Sequence, residues 1–291
     1  EGHLHLVHNP VEIESATTVE PGANAEANKN FLYPSRAIRR KNIGELLLWA
    51  ATAPPGDRFA VTMAPQNPSQ RPAYDAWVRF AYDRRLPVDF EVGGGGQPLA
   101  ALLRASTAAI TTSITEGFAL AFLEPALAGR PIIGRDLPEI TRGLAGLGVD
   151  LPGLYARLDV PISWVGADRL RHVIADALSR SRELFGRGTS QPDIDAALAA
   201  ACRDERVDFG RLDEAMQRGV IERLLASPGE RSAIAPADIG PPPDWRTSVT
   251  RNRQAIAKEL SPDAYARRLG DTYAALLDSR PSPPKAPAPD A

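Results

Sequence analysis

The chain has 291 residues, of which 34 are basic and 36 acidic, and its formal net charge at pH 7 is -2. Hydrophobic residues make up 43% and charged residues 24% of the sequence, which is the balance of an ordinary globular protein. Because the charges nearly cancel, no overall field favours a nucleic-acid partner. No apolar run reaches the roughly 18 residues that a membrane-spanning helix needs, so no transmembrane segment is predicted.

The cysteine content and the first residues bear on the cellular compartment. Cys202 is the single cysteine, which excludes an internal disulfide and a cysteine-rich zinc site. Residues 1–12 contain no initiator Met, basic leader or cleavage site, so they are not a signal peptide and resemble instead the middle of a longer protein. We therefore expect a cytoplasmic location.

Short apolar segments alternate with segments of helical spacing from about Asn28 to Leu184. In chain order the pattern predicts a strand at 30–35, a helix at 42–53, a strand at 58–64, a helix at 71–85, a strand at 87–92, a helix at 98–106, a strand at 107–113, a helix at 118–129 and a strand at 130–136. Such alternation with short connections is typical of a parallel sheet covered on both faces. The strands are continuous apolar runs, as expected where both faces are buried. The sequence therefore predicts a doubly wound, Rossmann-like α/β domain.

The composition changes after this domain. Helices are predicted at 167–185, 192–202 and 211–225, and a proline-rich connection follows at 235–244. Asp244 can cap a helix that runs through Leu260, and Ser261 can cap a last helix with Pro262 at its first position. The residues after that helix are rich in proline and cannot form a core. Residues 187–278 are therefore predicted to be a helical extension, and the residues after them a disordered tail.

Two glutamates, Glu116 and Glu124, lie at the start of the helix predicted at 118–129. The ligands of a doubly wound sheet bind beyond the carboxyl ends of its strands. There, Gly117 lets the backbone approach a ligand, and the helix start near Phe118 offers free N–H groups. A helical spacing of eight residues separates the two carboxylates by about 12 Å of rise, too far to share a proton or a metal. They are predicted to hold two parts of one extended ligand, although acids near a helix start are also common on plain surfaces.

The connection after the first strand carries a group of cations. Arg36 and Lys41 are predicted to lie in a loop on the ligand face, and the next helix begins near Asn42. Cations there would meet a phosphate held against the helix amides across the cleft. A solvated loop is the alternative for these two residues. Arg39 and Arg40, which lie between them, are expected to be solvated.

These segments together resemble a known family. "SITEGFALAFLEPALAGRPIIGRDLPEIT" is similar to the signature of retaining glycosyltransferases of the GT-B fold (group 1, or family 4-like), in which Glu-Gly-Phe follows a strand end and a second Glu comes after seven residues. "YPSRAIRRKNIGELL" is similar to the arginine–lysine loop of that family, and "LVHNPVE" to the linker that enters its second domain. The likeness covers residues 4–140, and it is to the carboxy-terminal, donor-binding half.

The resemblance implies a hexosyltransferase that binds a nucleotide-diphosphate sugar. As catalytic groups, Arg36 and Lys41 would hold the diphosphate and stabilise the leaving group, and Glu116 would contact the donor hexose. Glu124 would bind the ribose hydroxyls, and Gly93 would lie near the base. Backbone amides facing the sugar and phosphate would come from Gly117, Phe118, Ala119 and Leu120. No metal and no cofactor is implied, because two cations and a helix N-terminus would neutralise the departing diphosphate.

Two residues depart from the family pattern. Ala119 stands where the family usually has glycine, and Pro125 stands where alanine commonly follows the second glutamate. Proline lacks an N–H group, so within a helix it leaves the carbonyl of Ala121 without its usual donor. The position of Glu124 therefore depends on how deep in the helix Pro125 lies.

The acceptor half of this fold lies in an amino-terminal domain that the resemblance does not cover. We expect a domain for an unknown hydroxyl acceptor in the same or another chain, and donor binding without efficient transfer in its absence. Two other functions stay open, namely a non-catalytic nucleotide-sugar-binding subunit and a nucleotide-sugar epimerase of the same fold. The predicted division is a linker and entering strand at 1–27, the nucleotide-sugar-binding domain at 28–186, the helical extension at 187–278 and the disordered tail at 279–291.

Three further motifs have simpler explanations. Gly93–Gly96 lacks the GxxxxGK[ST] arrangement of a phosphate loop and is predicted to be a flexible turn. His3 and His5 share one face of a strand, but no third metal ligand accompanies them. Asp193–Asp195 resembles a metal-binding Asp-x-Asp motif but lies at a helix start, so it is predicted to cap that helix.

Overall fold

The computed structural model describes residues 7–11, 28–118 and 120–278, and its central feature is a sheet of six parallel strands. The strands are β1 (Asn30–Arg36), β2 (Arg58–Met63), β3 (Val88–Asp89), β4 (Ala108–Thr111), β5 (Ile132–Arg135) and β6 (Leu154–Tyr155). Their order across the sheet is β3-β2-β1-β4-β5-β6. The strand order therefore reverses between β1 and β4, and ligands of open α/β sheets bind at the carboxyl ends of strands at such a point.

Helices on both faces of the sheet connect these strands. They are α1 (Ile43–Thr52), α2 (Arg71–Asp83), α3 (Leu99–Ala105), α4 (Leu120–Leu127) and α5 (Pro138–Gly146). Neighbouring strand residues pack into different apolar clusters, for example Phe31 and Tyr33 into one and Leu32 into the other. Side chains alternate between the two faces of a strand, so both faces of this sheet are buried. The predicted doubly wound α/β fold is confirmed.

The chain after β6 forms further helices and a small second sheet. The helices are α6 (Ala167–Glu183) and, within the predicted extension at 187–278, α7 (Gln191–Ala201), α8 (Glu214–Ala226), α9 (Trp245–Glu259) and α10 (Pro262–Asp278). The second sheet is antiparallel, with β9 (Arg206–Asp208) between β7 (Asp159–Pro161) and β8 (Cys202–Arg203). The pairing of β7 with β9 crosses the boundary predicted at residue 186, and that boundary stays a prediction.

The extension packs onto both faces of the α/β domain. α8 packs against α1 in one apolar cluster, and α9 packs against α4 in the other. At the far end of α9, the backbone N–H of Val11 donates to the Leu260 carbonyl at 2.8 Å, and the Val11 side chain is buried. The extension is therefore part of the same folded body as the sheet.

Some predictions fall on other parts of the chain. Outside the described residues lie positions 1–6, with His3 and His5, and 12–27 of the linker predicted at 1–27, as well as Ala119 and the tail at 279–291. Among the described helices, none combines the length and apolar character needed to cross a membrane.

Candidate functional site

Hydrogen bonds join the loop after β1 to the loop after β4. Residues 39–41 form one short helical turn, which Asn42 ends with a φ of +50° before α1 begins. The carbonyl of Lys41 accepts hydrogen bonds from the Tyr33 hydroxyl at 2.7 Å and from the Thr112 hydroxyl at 3.0 Å. The Tyr33 and Ser113 hydroxyls are also hydrogen-bonded to each other, at 2.9 Å. Burial raises the pKa of Tyr33, so it remains protonated and able to donate.

Glu116 forms ion pairs with two cations of the facing loop. One carboxylate oxygen contacts Lys41 Nζ and accepts from the Ser113 hydroxyl at 2.6 Å, while the other accepts from Arg40 at 2.8 Å. The side chains of Glu116 and Lys41 are only 5% and 11% exposed, so their pair is nearly buried. The two predicted residues Lys41 and Glu116 are therefore in direct contact where β1 and β4 end.

The expectation that Arg40 is solvated was wrong. The backbone N–H of Ile114 donates to the Arg40 carbonyl at 2.9 Å, which fixes this part of the turn beside the β4 loop. The guanidinium of Arg40 then reaches both Glu116 and the Thr115 carbonyl, while 42% of its side chain stays exposed. Arg39 is the more solvated of the two arginines, with its side chain 54% exposed and 3.7 Å from Glu214.

Arg36 lies nearby in the fold but does not join this ion pair. It is the last residue of β1 and not a loop residue, because β1 continues past Pro34 through an irregularity and pairs Arg36 with Met63. Its side chain is exposed, and within the described residues its guanidinium group forms no hydrogen bond or ion pair, although its backbone carbonyl accepts from the Ile38 N–H at 2.8 Å. Its predicted role at the diphosphate stays a prediction.

Gly117, Phe118 and Leu120 are open to solvent. A Cβ atom at Gly117 would meet no atom within 4 Å, and Phe118 and Leu120 are 37% and 39% exposed. α4 begins at Leu120, two residues later than the sequence predicts. The start of this helix therefore lies beside the Lys41–Glu116 pair with free space over Gly117.

Glu124 lies in the second turn of α4 and is half-buried. Burial raises the pKa of its carboxyl group, and within the described residues no cation pairs with it. Pro125 is inside the helix and removes the N–H that would bond the Ala121 carbonyl, and α4 ends two residues later at Leu127. The carboxylate of Glu124 is thus held in a short helix without contact to Glu116.

The glycine run forms a turn, as predicted. Residues 92–95 make a short helical turn between Glu91 and Gly96, both of which have positive φ angles. A Cβ at Gly93 would lie 3.0 Å from the Thr62 carbonyl oxygen, so close packing against β2 accounts for this glycine. No described contact tests its predicted place near a base.

Behind the segment at 37–41 that carries Arg39, Arg40 and Lys41, called the cation loop, lies a buried ion cluster that the sequence did not predict. Arg135 donates to Glu45 at 3.1 and 2.5 Å and to Asp208 at 2.9 and 2.8 Å. Tyr155 donates to Glu45 at 2.6 Å, and Trp49 donates to the Tyr155 oxygen at 2.9 Å. Burial raises the pKa of Glu45, against the lowering effect of Arg135. The sequence signal for this cluster was a charged residue inside an apolar run, and such a pattern does not indicate which residue forms the ion pair.

The Asp193–Asp195 motif caps a helix, as predicted. Asp193 accepts from the Ser190 N–H at 2.9 Å and from its hydroxyl at 2.6 Å, which completes a capping box at the start of α7. These bonds and the nearby Arg182 lower the pKa of Asp193 to about 2. In the part of the chain that the structure describes, no group of three or more His, Cys, Asp or Glu side chains could hold a metal ion.

A cavity of about 170 Å³ lies between the cation loop, α2 and α8. Its walls include Ile38, Asn42, Trp77 and Gln217. The cavity is distinct from the Lys41–Glu116 pair, because its walls include none of the charged residues predicted for the site, which are Arg36, Lys41, Glu116 and Glu124.

Comparison with known proteins gives structural likenesses only. No family model and no curated protein sequence matches the chain. Sucrose-phosphate synthase from Thermosynechococcus elongatus matches with a TM-score of 0.48 and 18% identity over 95% of this chain and 53% of that one. The lipopolysaccharide outer core galactosyltransferase WaaB matches with a TM-score of 0.47 and 16% identity over 94% of this chain and 56% of that one. S. aureus TarM, in a complex that includes UDP, matches with a TM-score of 0.47 and 12% identity over 92% of this chain and 39% of that one.

These matches include glycosyltransferases, the class of protein that the sequence motifs resemble. The chain spans between about 39% and 56% of the length of these three proteins. All three TM-scores are below 0.5, so the function has to be inferred from the residues of this chain.

Proposed function

We propose that the chain binds a nucleoside-diphosphate sugar at the carboxyl ends of β1 and β4 and is the donor-binding half of a retaining glycosyltransferase. The observation that carries the proposal is the contact of Lys41 and Arg40 with Glu116 at the reversal point of the strand order. Two cations beside one carboxylate suit a ligand that has phosphate and hydroxyl groups next to each other. Lys41 and Arg36 would bind the diphosphate, and Glu116 would accept from sugar hydroxyls.

The proposed reaction transfers the hexose to an acceptor hydroxyl. The bond between the anomeric carbon and the diphosphate oxygen breaks, the acceptor oxygen bonds to that carbon on the same face, and the acceptor proton passes to a phosphate oxygen. Negative charge builds up on the departing diphosphate, so cations and the free N–H groups at the start of α4 would lower the barrier at this step. The acceptor site is proposed to belong to a further domain in the same or another chain.

Glu124 and the residues around it complete the proposed donor site. Its carboxylate would bind the ribose hydroxyls, which are neutral donors and suit an acid that has no cation partner among the described residues. The backbone amides from Gly117 to Leu120 would face the phosphate and the sugar. Gly93 would lie near the base.

Calorimetry with a panel of UDP-, GDP- and ADP-sugars, with and without chelator, identifies the donor. Lys41→Ala is then expected to weaken donor binding roughly 10- to 100-fold, because it removes a hydrogen-bonded charge from the phosphate. Lys258→Ala is the matched control, since Lys258 lies on α9 with its side chain 81% exposed. Glu124→Ala should weaken nucleotide binding and leave inorganic pyrophosphate binding unchanged.

Unchanged donor affinity in both Lys41→Ala and Glu124→Ala would overturn the site. Product analysis separates the remaining functions. A glycosylated acceptor with free nucleoside diphosphate supports the transferase, and an inverted sugar on the nucleotide supports an epimerase. Binding without any turnover, even with an acceptor domain supplied, supports a binding subunit.

A further inference from the structure

Asn42 connects the cation loop to the interior of the protein. It directly follows Lys41 and has a φ of +50°, a conformation that few residues other than glycine and asparagine adopt without strain. Its side-chain N–H donates to Glu45 at 2.8 Å, and its side-chain carbonyl accepts from Gln217 at 2.8 Å. Both bonds are buried, since Asn42 and Gln217 are 3% and 1% exposed. The direction in which Lys41 leaves the turn is therefore tied to two interior side chains.

Both interior partners depend on the carboxy-terminal extension. Gln217 belongs to α8, and its amide also donates to the Phe209 carbonyl at 3.1 Å. Arg135 forms an ion pair with Glu45 and a second ion pair with Asp208, which belongs to the extension. A continuous set of buried hydrogen bonds thus runs from the extension through Asn42 to the turn that carries Lys41.

We propose that Gln217 and Asn42 are positioning residues, through which the extension sets the Lys41–Glu116 geometry needed for diphosphate binding. The proposal rests on the function proposed above for Lys41. Gln217 itself is separated from the ligand by Asn42, so it acts on binding only through the shape of the turn. Small displacements of a binding group have large effects on affinity and rate.

The test compares two buried amides of the extension. Gln217→Leu removes the bonds to Asn42 and Phe209 at nearly constant volume. Asn252→Leu is the matched control, because Asn252 of α9 is 3% exposed and exchanges two 2.7 Å hydrogen bonds with the backbone of Asp150, on the other face of the sheet. Calorimetry uses UDP, GDP and ADP together with the sugar nucleotide that the wild-type chain binds. Gln217→Leu should weaken binding roughly tenfold, whereas Asn252→Leu should leave binding unchanged. Both variants should lower the urea midpoint of unfolding by similar amounts.

Hydrogen exchange gives a readout that needs no ligand. Backbone amides of residues 37–42 should exchange faster in Gln217→Leu than in Asn252→Leu or the wild type. Asn42→Gly keeps the positive φ but removes the side-chain bonds, and in that background Gln217→Leu should have no further effect on exchange or affinity.

Each opposite result overturns the proposal. Unchanged exchange in the turn, equal effects of both leucine variants, or additive effects of Asn42→Gly and Gln217→Leu would each show that Gln217 is only structural. A wild-type chain that binds none of the nucleotides would instead overturn the proposed function, while the exchange comparison would still decide whether the extension positions the turn.

Discussion

Replacing Glu116 with glutamine should shift the ligand preference of the proposed site towards free nucleoside diphosphate. In the structure Glu116 neutralises one of the two cations around it, so Arg40, Lys41 and Glu116 together carry one net positive charge. Glutamine keeps the shape and a hydrogen-bond acceptor but removes the negative charge. At an effective dielectric constant of about 20, a phosphate charge about 6 Å from the carboxylate is repelled by roughly 2.8 kcal/mol, and salt screening reduces this value. Glu116→Gln should therefore bind free nucleoside diphosphate about 10- to 100-fold more tightly.

The sugar nucleotide should respond differently, because in the proposed site its sugar hydroxyls also contact the carboxylate. A hydrogen bond from a sugar hydroxyl contributes about 1.5–3 kcal/mol when the acceptor is charged and about 0.5–1.5 kcal/mol when it is neutral, so Glu116→Gln loses the difference of about 1–1.5 kcal/mol. The ratio of the dissociation constants of nucleoside diphosphate and sugar nucleotide, measured by calorimetry on both proteins, should thus change roughly 5- to 10-fold. Glu214→Gln is the control, since Glu214 is paired with Arg39 of the same turn. Equal weakening of both ligands by Glu116→Gln would refute the proposed role and leave Glu116 as a structural partner of Lys41.

Two further predictions concern buried charges. Arg135→Met should cost at least about 3–5 kcal/mol of unfolding free energy, because it leaves the carboxylates of Glu45 and Asp208 buried without their cation. Glu45→Gln should cost less, because Arg135 keeps Asp208 as its partner; urea denaturation measures both, and the opposite order would contradict the reasoning. Glu124→Gln should raise the Tm at pH 7, since burial raises the pKa of Glu124 and its ionised form is disfavoured in the folded state. The stability of the wild-type protein then increases as the pH falls through the raised pKa, so the Tm difference should disappear below pH 4.5, the ordinary pKa of a glutamate side chain. A Tm difference that stays constant with pH would show that charge is not its cause.

The contact between Lys41 and Glu116 could be predicted because it follows from topology. Parallel strands bring their carboxyl ends to one edge of the sheet, so residues after β1 and β4 had to lie close together. The place of Arg40 could not be predicted, because neighbouring residues in a tight turn point in directions that only the backbone angles decide. The cluster of Glu45, Arg135 and Asp208 joins three distant segments, and no local pattern specifies such pairing.

The small hairpin of β8 and β9 was missed for a different reason. Its two turn residues, Asp204 and Glu205, both have positive φ angles, a conformation that usually selects asparagine and glycine. The alanine-rich run before it has high helix propensity and predicted a helix through Cys202, whereas α7 ends one residue earlier. Pairing of β9 with β7 decided the local structure here, against the signal of the turn sequence.

Under the proposed function, the net charge of the site should favour the sugar nucleotide over the nucleoside diphosphate that the reaction releases. Arg40, Lys41 and Glu116 carry one net positive charge, and Arg36 would add a second if it reaches the diphosphate as proposed. The diphosphate of a sugar nucleotide has two acidic groups, whereas a free nucleoside diphosphate gains a further ionisation at its terminal phosphate with a pKa of about 6. Under the proposed function, Glu116 would match the site to the charge of the sugar nucleotide and disfavour the more highly charged nucleoside diphosphate, which would help that product to leave. Removing this carboxylate should shift the preference of the site towards nucleoside diphosphates.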